Sequence, residues 1–172
     1  MKAPQSSTYK KVVVRKLNRE VVKGFVIPAS YLGPQDAELM DLDGHRLVVP
    51  LQEVKGIYFV RDFEGNNERI ERKTFLSRPK LSGLWIRMTF KDAEVLDGLL
   101  SENLLELDPQ GYLVTPPDVF SNNLKIFVPR TALRSLEVLG VIANGVRRGN
   151  GAARTRRKSP STTRQMRLFT SS

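Results

Sequence analysis

Two stretches of this chain repeat one pattern, and that repetition limits the fold more than any other feature. RLVVPLQEVKGIYFV (Arg46 to Val60) and KIFVPRTALRSLEVL (Lys125 to Leu139) align without gaps. Each runs as a basic residue, three apolar residues, Pro, a short polar stretch and an alternating apolar run. Pro50 falls on Pro129, Val54 on Leu133 and Ile57 on Leu136. Upstream, VVVRKLNREVVKG (Val12 to Gly24) matches LWIRMTFKDAEVLDG (Leu84 to Gly98) once two residues are inserted. Self-similarity of this kind predicts two copies of one unit of about 55 residues.

Within each unit the residues favour strands: Val, Ile, Phe and Tyr fill short runs, and turn residues separate them. Asp43-Gly44 predicts a hairpin turn, because Gly accepts positive φ. Asp108-Pro109-Gln110-Gly111 fits a type I turn with Pro presetting φ. Gly24 and Gly98 occupy equivalent strand positions, where a bend or close approach needs a missing Cβ. EVLDGLLSENLLELD has apolar spacing that also suits an amphipathic helix. The repeat assigns it to strands.

Five short strands in so few residues suit a small closed barrel, which leaves no exposed edge. The expected fold class is therefore all-β, with two tandem five-stranded SH3-like or Sm-like barrels and a disordered basic tail. The boundaries expected are a flexible N-terminus at 1–8, barrels at 9–63 and 82–142, a charged linker at 64–81 and the tail at 143–172.

The net charge of +10 is unevenly distributed. Residues 141–172 hold eight Lys or Arg and no Asp or Glu, which leaves 20 basic residues against 18 acidic in the remainder. The basicity belongs to the tail, so a uniformly basic nucleic-acid surface on the folded part is not expected. The chain has no Cys, which excludes disulfides and thiol chemistry. No apolar run approaches the roughly 18 residues of a membrane span, and the N-terminus lacks a secretory signal's apolar core. A cytoplasmic protein without membrane contact is expected. His45 stands alone after a turn, so no metal site is expected. No nucleophile elbow, phosphate loop or dinucleotide fingerprint occurs. The expectation is a non-enzyme without a cofactor. Tyr31, Tyr58, Phe59 and Trp85 are assigned to the core or to half-buried strands.

VVVRKLNREVVKGFV followed by HRLVVPLQEVKGIYFV resembles an Sm-like domain, and the outline recurs in the second copy. YFVRDFEGN and FSNNLKIFV also resemble an uncharacterised repeat domain of bacterial proteins. The Sm-like resemblance implies RNA binding through an Asp, an Asn and a basic residue beside Gly. DAELMDLDGHRL offers Asp36 without the matching Asn; Lys55-Gly56 echoes the last element, and the second copy has Arg134-Ser135 there. Arg69 and Lys73 have the spacing of the basic element of PilZ-type cyclic-dinucleotide receptors. Lys73 lacks the bidentate fork of Arg, and no D/N-x-S-x-x-G follows.

The tail is too polar and cationic to bury a core. Arg147, Arg148, Arg154, Arg156, Arg157, Lys158 and Arg164 suit loose, salt-sensitive contact with the phosphates of DNA or RNA. After Val146 the large apolar residues are Met166, Leu168 and Phe169. They lie in Gln165-Met166-Arg167-Leu168-Phe169, which resembles the pentapeptide that docks bacterial polymerases and repair factors on the sliding clamp. The resemblance implies that Gln165 hydrogen-bonds in a polar pocket and that Met166 takes a Leu position. Leu168 and Phe169 would fill the main cleft while Arg167 faces solvent. Met for Leu conserves volume. Two alternatives stay open: Leu168 and Phe169 fold back on a barrel, or they have no role. The expected function is a DNA-associated adaptor in replication or repair. The competing reading is a regulatory module that binds nucleic acid or a small ligand on an Sm-like surface.

Overall fold

The computed structural model describes residues 8–65, 70–103, 105 and 107–143. Among them it contains ten strands, a 3₁₀ turn at Arg130–Ala132 and no α-helix, hence no helix able to cross a membrane. The strands are β1 (Lys10–Lys16), β2 (Val21–Val26), β3 (Asp36–Met40), β4 (Arg46–Pro50) and β5 (Val54–Val60). After the linker come β6 (Gly83–Phe90), β7 (Val95–Leu100), β8 (Gly111–Thr115), β9 (Asn123–Pro129) and β10 (Leu133–Ile142). All neighbours are antiparallel, in the order β10-β6-β7-β8-β9-β5-β1-β2-β3-β4. The all-β expectation holds, and EVLDGLL folds as strand β7 rather than helix.

The two halves trace the same path, β4-β3-β2-β1-β5 and β9-β8-β7-β6-β10. The β1–β2 and β6–β7 turns match bond for bond: Lys16 N donates to Glu20 O, and Phe90 N to Glu94 O. Their third residues, Arg19 and Ala93, are the non-glycine residues with positive φ among those described, at 72° and 66°. A bulge falls between Val54 and Gly56 against β1, and again between Leu133 and Ser135 against β6. Val12 faces Gly24 as Ile86 faces Gly98. This register sets Val12 on Ile86 without the two-residue insertion expected from sequence, because the two turns have equal length.

Gly24 and Gly98 share one constraint. A Cβ on Gly24 would collide with the Met40 carbonyl and lie 2.7 Å from Leu39 Cδ1; on Gly98 it would lie 2.8 Å from Val114 Cβ. The next strand crosses at that point, which is why no side chain fits. Gly44 takes φ 89° at the predicted hairpin turn, and Gly111 N donates to Asp108 O at the predicted type I turn.

The barrel expectation differs from the structure at one join. Closing a five-stranded unit requires its fourth and fifth strands to pair. Instead the outer edge of β5 pairs with β9, Ile57 with Phe127, Tyr58 with Ile126 and Phe59 with Lys125. The result is one open sheet rather than two separate barrels. Side chains alternate along a strand, so the joining strands serve two cores on opposite faces. Val12, Val14, Ile57 and Phe127 pack in one with Val26, Leu39 and Val49. Val13, Tyr58, Val60, Ile126 and Val128 pack in the other with Ile86, Met88, Phe90 and Val114. The linker lies against the second half, with Lys73 O accepting from Asp97 N and Phe75 edge-on to Trp85. Buried Asp97 receives Arg87 through Nε at 2.7 Å and Nη2 at 3.1 Å.

Candidate binding groove

Alternation on the β1–β2 hairpin sends Val12 and Val14 into the first core and turns Lys11, Val13 and Arg15 to the other face. Their ladder partners Phe25, Lys23 and Val21 lie on that same face. Val13, Arg15, Val21 and Lys23 of this face line an open groove of about 1030 Å³, to which β5 adds Tyr58 and Val60. The Arg15 guanidinium lies 4.7 Å from the Tyr58 ring centre, and Lys11 Nζ lies 5.5 Å from that of Phe63. Phe63 meets Phe25 edge-on. A guanidinium over a ring is oriented without losing its charge.

The remaining cations fall into two groups. Lys16 pairs with Glu20 at 3.0 Å and Glu53 at 3.5 Å, and Lys73 with Glu94 at 2.9 Å. Lys55 lies 2.5 Å from both Asp92 and Glu94, above the Phe90 ring. Among the described residues Arg15, Arg19 and Lys23 have no carboxylate partner. Glu64 and Glu71 also line the groove, but the cations outnumber them, and an excess of cations beside two aromatic rings suits a polyanion with planar groups.

The Lys55 cluster also ties the halves together, since Asp92 and Glu94 sit on the β6–β7 turn. Burial works to raise the Glu94 carboxyl, but hydrogen bonds from Lys55 and Lys73 outweigh it and lower its pKa. The Lys55 bond lowers Asp92. Burial opposes the charge on Lys55, yet the two carboxylates hold its pKa up. Carboxyls depressed on folding stabilise above their unfolded pKa, and that contribution disappears as pH falls through the folded value. Lys55→Met should therefore cost about 1–2 kcal/mol near neutrality. It should also flatten the loss of stability below about pH 4.5. Urea midpoints of both chains from pH 7 to pH 3 measure this.

Other sequence-derived positions are placed as follows. Tyr31 and Tyr58 are buried, and Phe59 and Trp85 half-buried. Asp36 lies on β3, separated from Lys55 on β5 by both β1 and β2, so the partial Sm-like set is not brought together. His45 is exposed on the β3–β4 hairpin with Asp41 and Asp43, within 4.8 Å of one another. Asp41 already accepts from the backbone N–H of Asp43 and His45, which explains the cluster as a turn device. A cavity of about 490 Å³ between the halves is lined by Tyr31, Leu99, Leu100, Leu113 and Phe127, with Asp108 and Lys125. Arg69 lies outside the described residues, as do Arg147, Arg148, Arg154, Arg156, Arg157, Lys158, Arg164, Gln165, Met166, Leu168 and Phe169. The groove itself was missed in the sequence. Its signal is the period-two alternation of Lys11, Val13, Arg15 with Val21, Lys23, Phe25.

No curated protein and no solved structure matches the chain. One family profile does, over residues 8–140 of the 172, which takes in both halves of the sheet to within two residues of the end of β10. The chain belongs to that family, a family of unknown function designated DUF6982.

Proposed function

We propose that this protein is a non-enzymatic adaptor that joins the bacterial sliding clamp through Gln165-Met166-Arg167-Leu168-Phe169 and reaches DNA through its basic tail. The observation that carries the reading is the placement of Met166, Leu168 and Phe169. They are the large apolar residues of the last 26 positions and fall together in clamp-peptide order. Apolar side chains in an otherwise polar, cationic segment suit burial on a partner. Neighbouring Arg residues add salt-sensitive contact with DNA and raise avidity. In this reading each half of the sheet is one copy of a duplicated Sm-like or SH3-like unit, supported by the equal strand orders, turns and bulges. The test is titration of the full chain with a bacterial sliding clamp, beside a chain ending at residue 143. Saturable micromolar binding by the full chain alone supports the proposal. Equal binding by both, or by neither, refutes it.

A second reading is favoured by the groove: a binding module that holds single-stranded nucleic acid on the β1–β2 face. Arg15, Arg19 and Lys23 would touch phosphates, with Phe63 beside them. Arg15→Glu with Lys23→Glu should weaken binding and reduce the salt slope by roughly 0.7 for each phosphate no longer neutralised. An unchanged slope in the chain ending at residue 143 would remove the groove from the interface.

A further inference from the structure

The ten-stranded sheet has two free ends, β10 and β4, and the chain already shows how such ends join. At its centre the fifth strand of the first half pairs with the fourth strand of the second. β10 is the fifth strand of the second half, and β4 the fourth of the first. We propose that β10 of one molecule pairs antiparallel with β4 of a second copy, repeating the β5–β9 join between chains.

Exposure at the two ends fits this partner. Val60 on β5 is 6% exposed under β9, whereas its counterpart Leu139 on β10 is 40% exposed. Phe127 on β9 is 1% exposed, whereas its counterpart Val48 on β4 is 45% exposed. Val138 and Val141 add 58% and 60%. β10 is the longest strand described, and from Val138 to Ile142 it carries no charge and no Pro. A long, uncharged, apolar edge is a template for another strand. Pro50 does not block β4. Its counterpart Pro129 lies beyond the β5–β9 ladder, which begins at Phe127, so proline and pairing coexist there.

The charges agree independently. At the internal join Lys55 holds Asp92 and Glu94 of the next half's turn. The counterpart of Lys55 is the exposed Arg134, and the counterparts of Asp92 and Glu94 are Asn18 and Glu20. Arg134 thus meets Glu20 of the next copy. Transferring the internal register sets Leu136 opposite Val48, Glu137 opposite Leu47 and Val138 opposite Arg46. The contact joins unlike surfaces, so it propagates head to tail into a ring or a filament.

The chain has no Cys, so engineered cysteines report this register cleanly. Full-length Val138→Cys and Arg46→Cys chains, mixed under mild oxidation, should give a disulfide-linked pair that holds one of each. Neither variant alone should link. The unmodified chain should sediment above its 19.4 kDa mass, and Val138→Arg, which opposes Arg46, should return it to one chain. A single-chain mass at concentrations on the order of 100 µM overturns the proposal. So does failure of the two variants to link while both keep strand circular dichroism, or linkage of Val138→Cys to itself.

Discussion

Phe127→Ala is expected to cost about 3–5 kcal/mol, the range for removing a fully buried phenylalanine. That is a large share of the roughly 5–15 kcal/mol by which such domains are stable. Phe127 comes from β9 in the second half, yet it packs in the first core, opposite Ile57 and 6.0 Å from the Tyr31 ring. Gly111 is shaped around it, since a Cβ there would lie 2.6 Å from Phe127 Cζ. Truncation therefore empties one core and loosens the join that the other depends on. Both halves should lose stability together in one transition of lower midpoint. Val119→Ala, at an exposed position between β8 and β9, should change stability by less than about 0.5 kcal/mol. Urea titration of the three chains tests this contrast.

Leu168→Ala with Phe169→Ala is expected to abolish clamp binding under the proposed function. Burying those side chains contributes about 1.5–3 kcal/mol each, so together they carry roughly a hundredfold or more in affinity. Met166→Leu should keep or modestly improve affinity, because it conserves volume and restores the residue the clamp peptide usually has. Arg167→Ala should change little if that side chain faces solvent. Fluorescence anisotropy of labelled peptides from Ser159 to Ser172, titrated with a clamp, reads all three. Equal affinity of the double alanine peptide would assign any binding to the basic residues instead.

Strands and turns were legible because local chemistry decides them. Asp43-Gly44 needs positive φ, and the Gly24 and Gly98 positions admit no Cβ. The β5–β9 join was hidden, because barrel closure and pairing with a neighbour use the same backbone groups. One signal for it lies in plain view. A strand with one face in water alternates apolar and polar residues, while one covered on both faces does not. IYFV in β5 and IFV in β9 are unbroken apolar runs, and in the structure they are covered on both faces. VLGVI in β10 is a similar run without its cover. The groove was overlooked for a different reason: near-zero net charge over the first 140 residues conceals a hairpin that sets Lys11, Arg15 and Lys23 on one face. The tail's peptide and arginines lie outside the described residues, so their reading rests on sequence alone.

The continuity of the sheet is tested most directly by unfolding the unmodified chain in urea while watching both halves. Trp85, the one tryptophan, reports β6 by fluorescence, and backbone amide resonances of β1 to β4 report the first half. One sheet with shared cores predicts coincident transitions at a single midpoint. Loss of the β1 to β4 signals at lower urea, with Trp85 fluorescence still native, would contradict it and divide the chain into two independent domains.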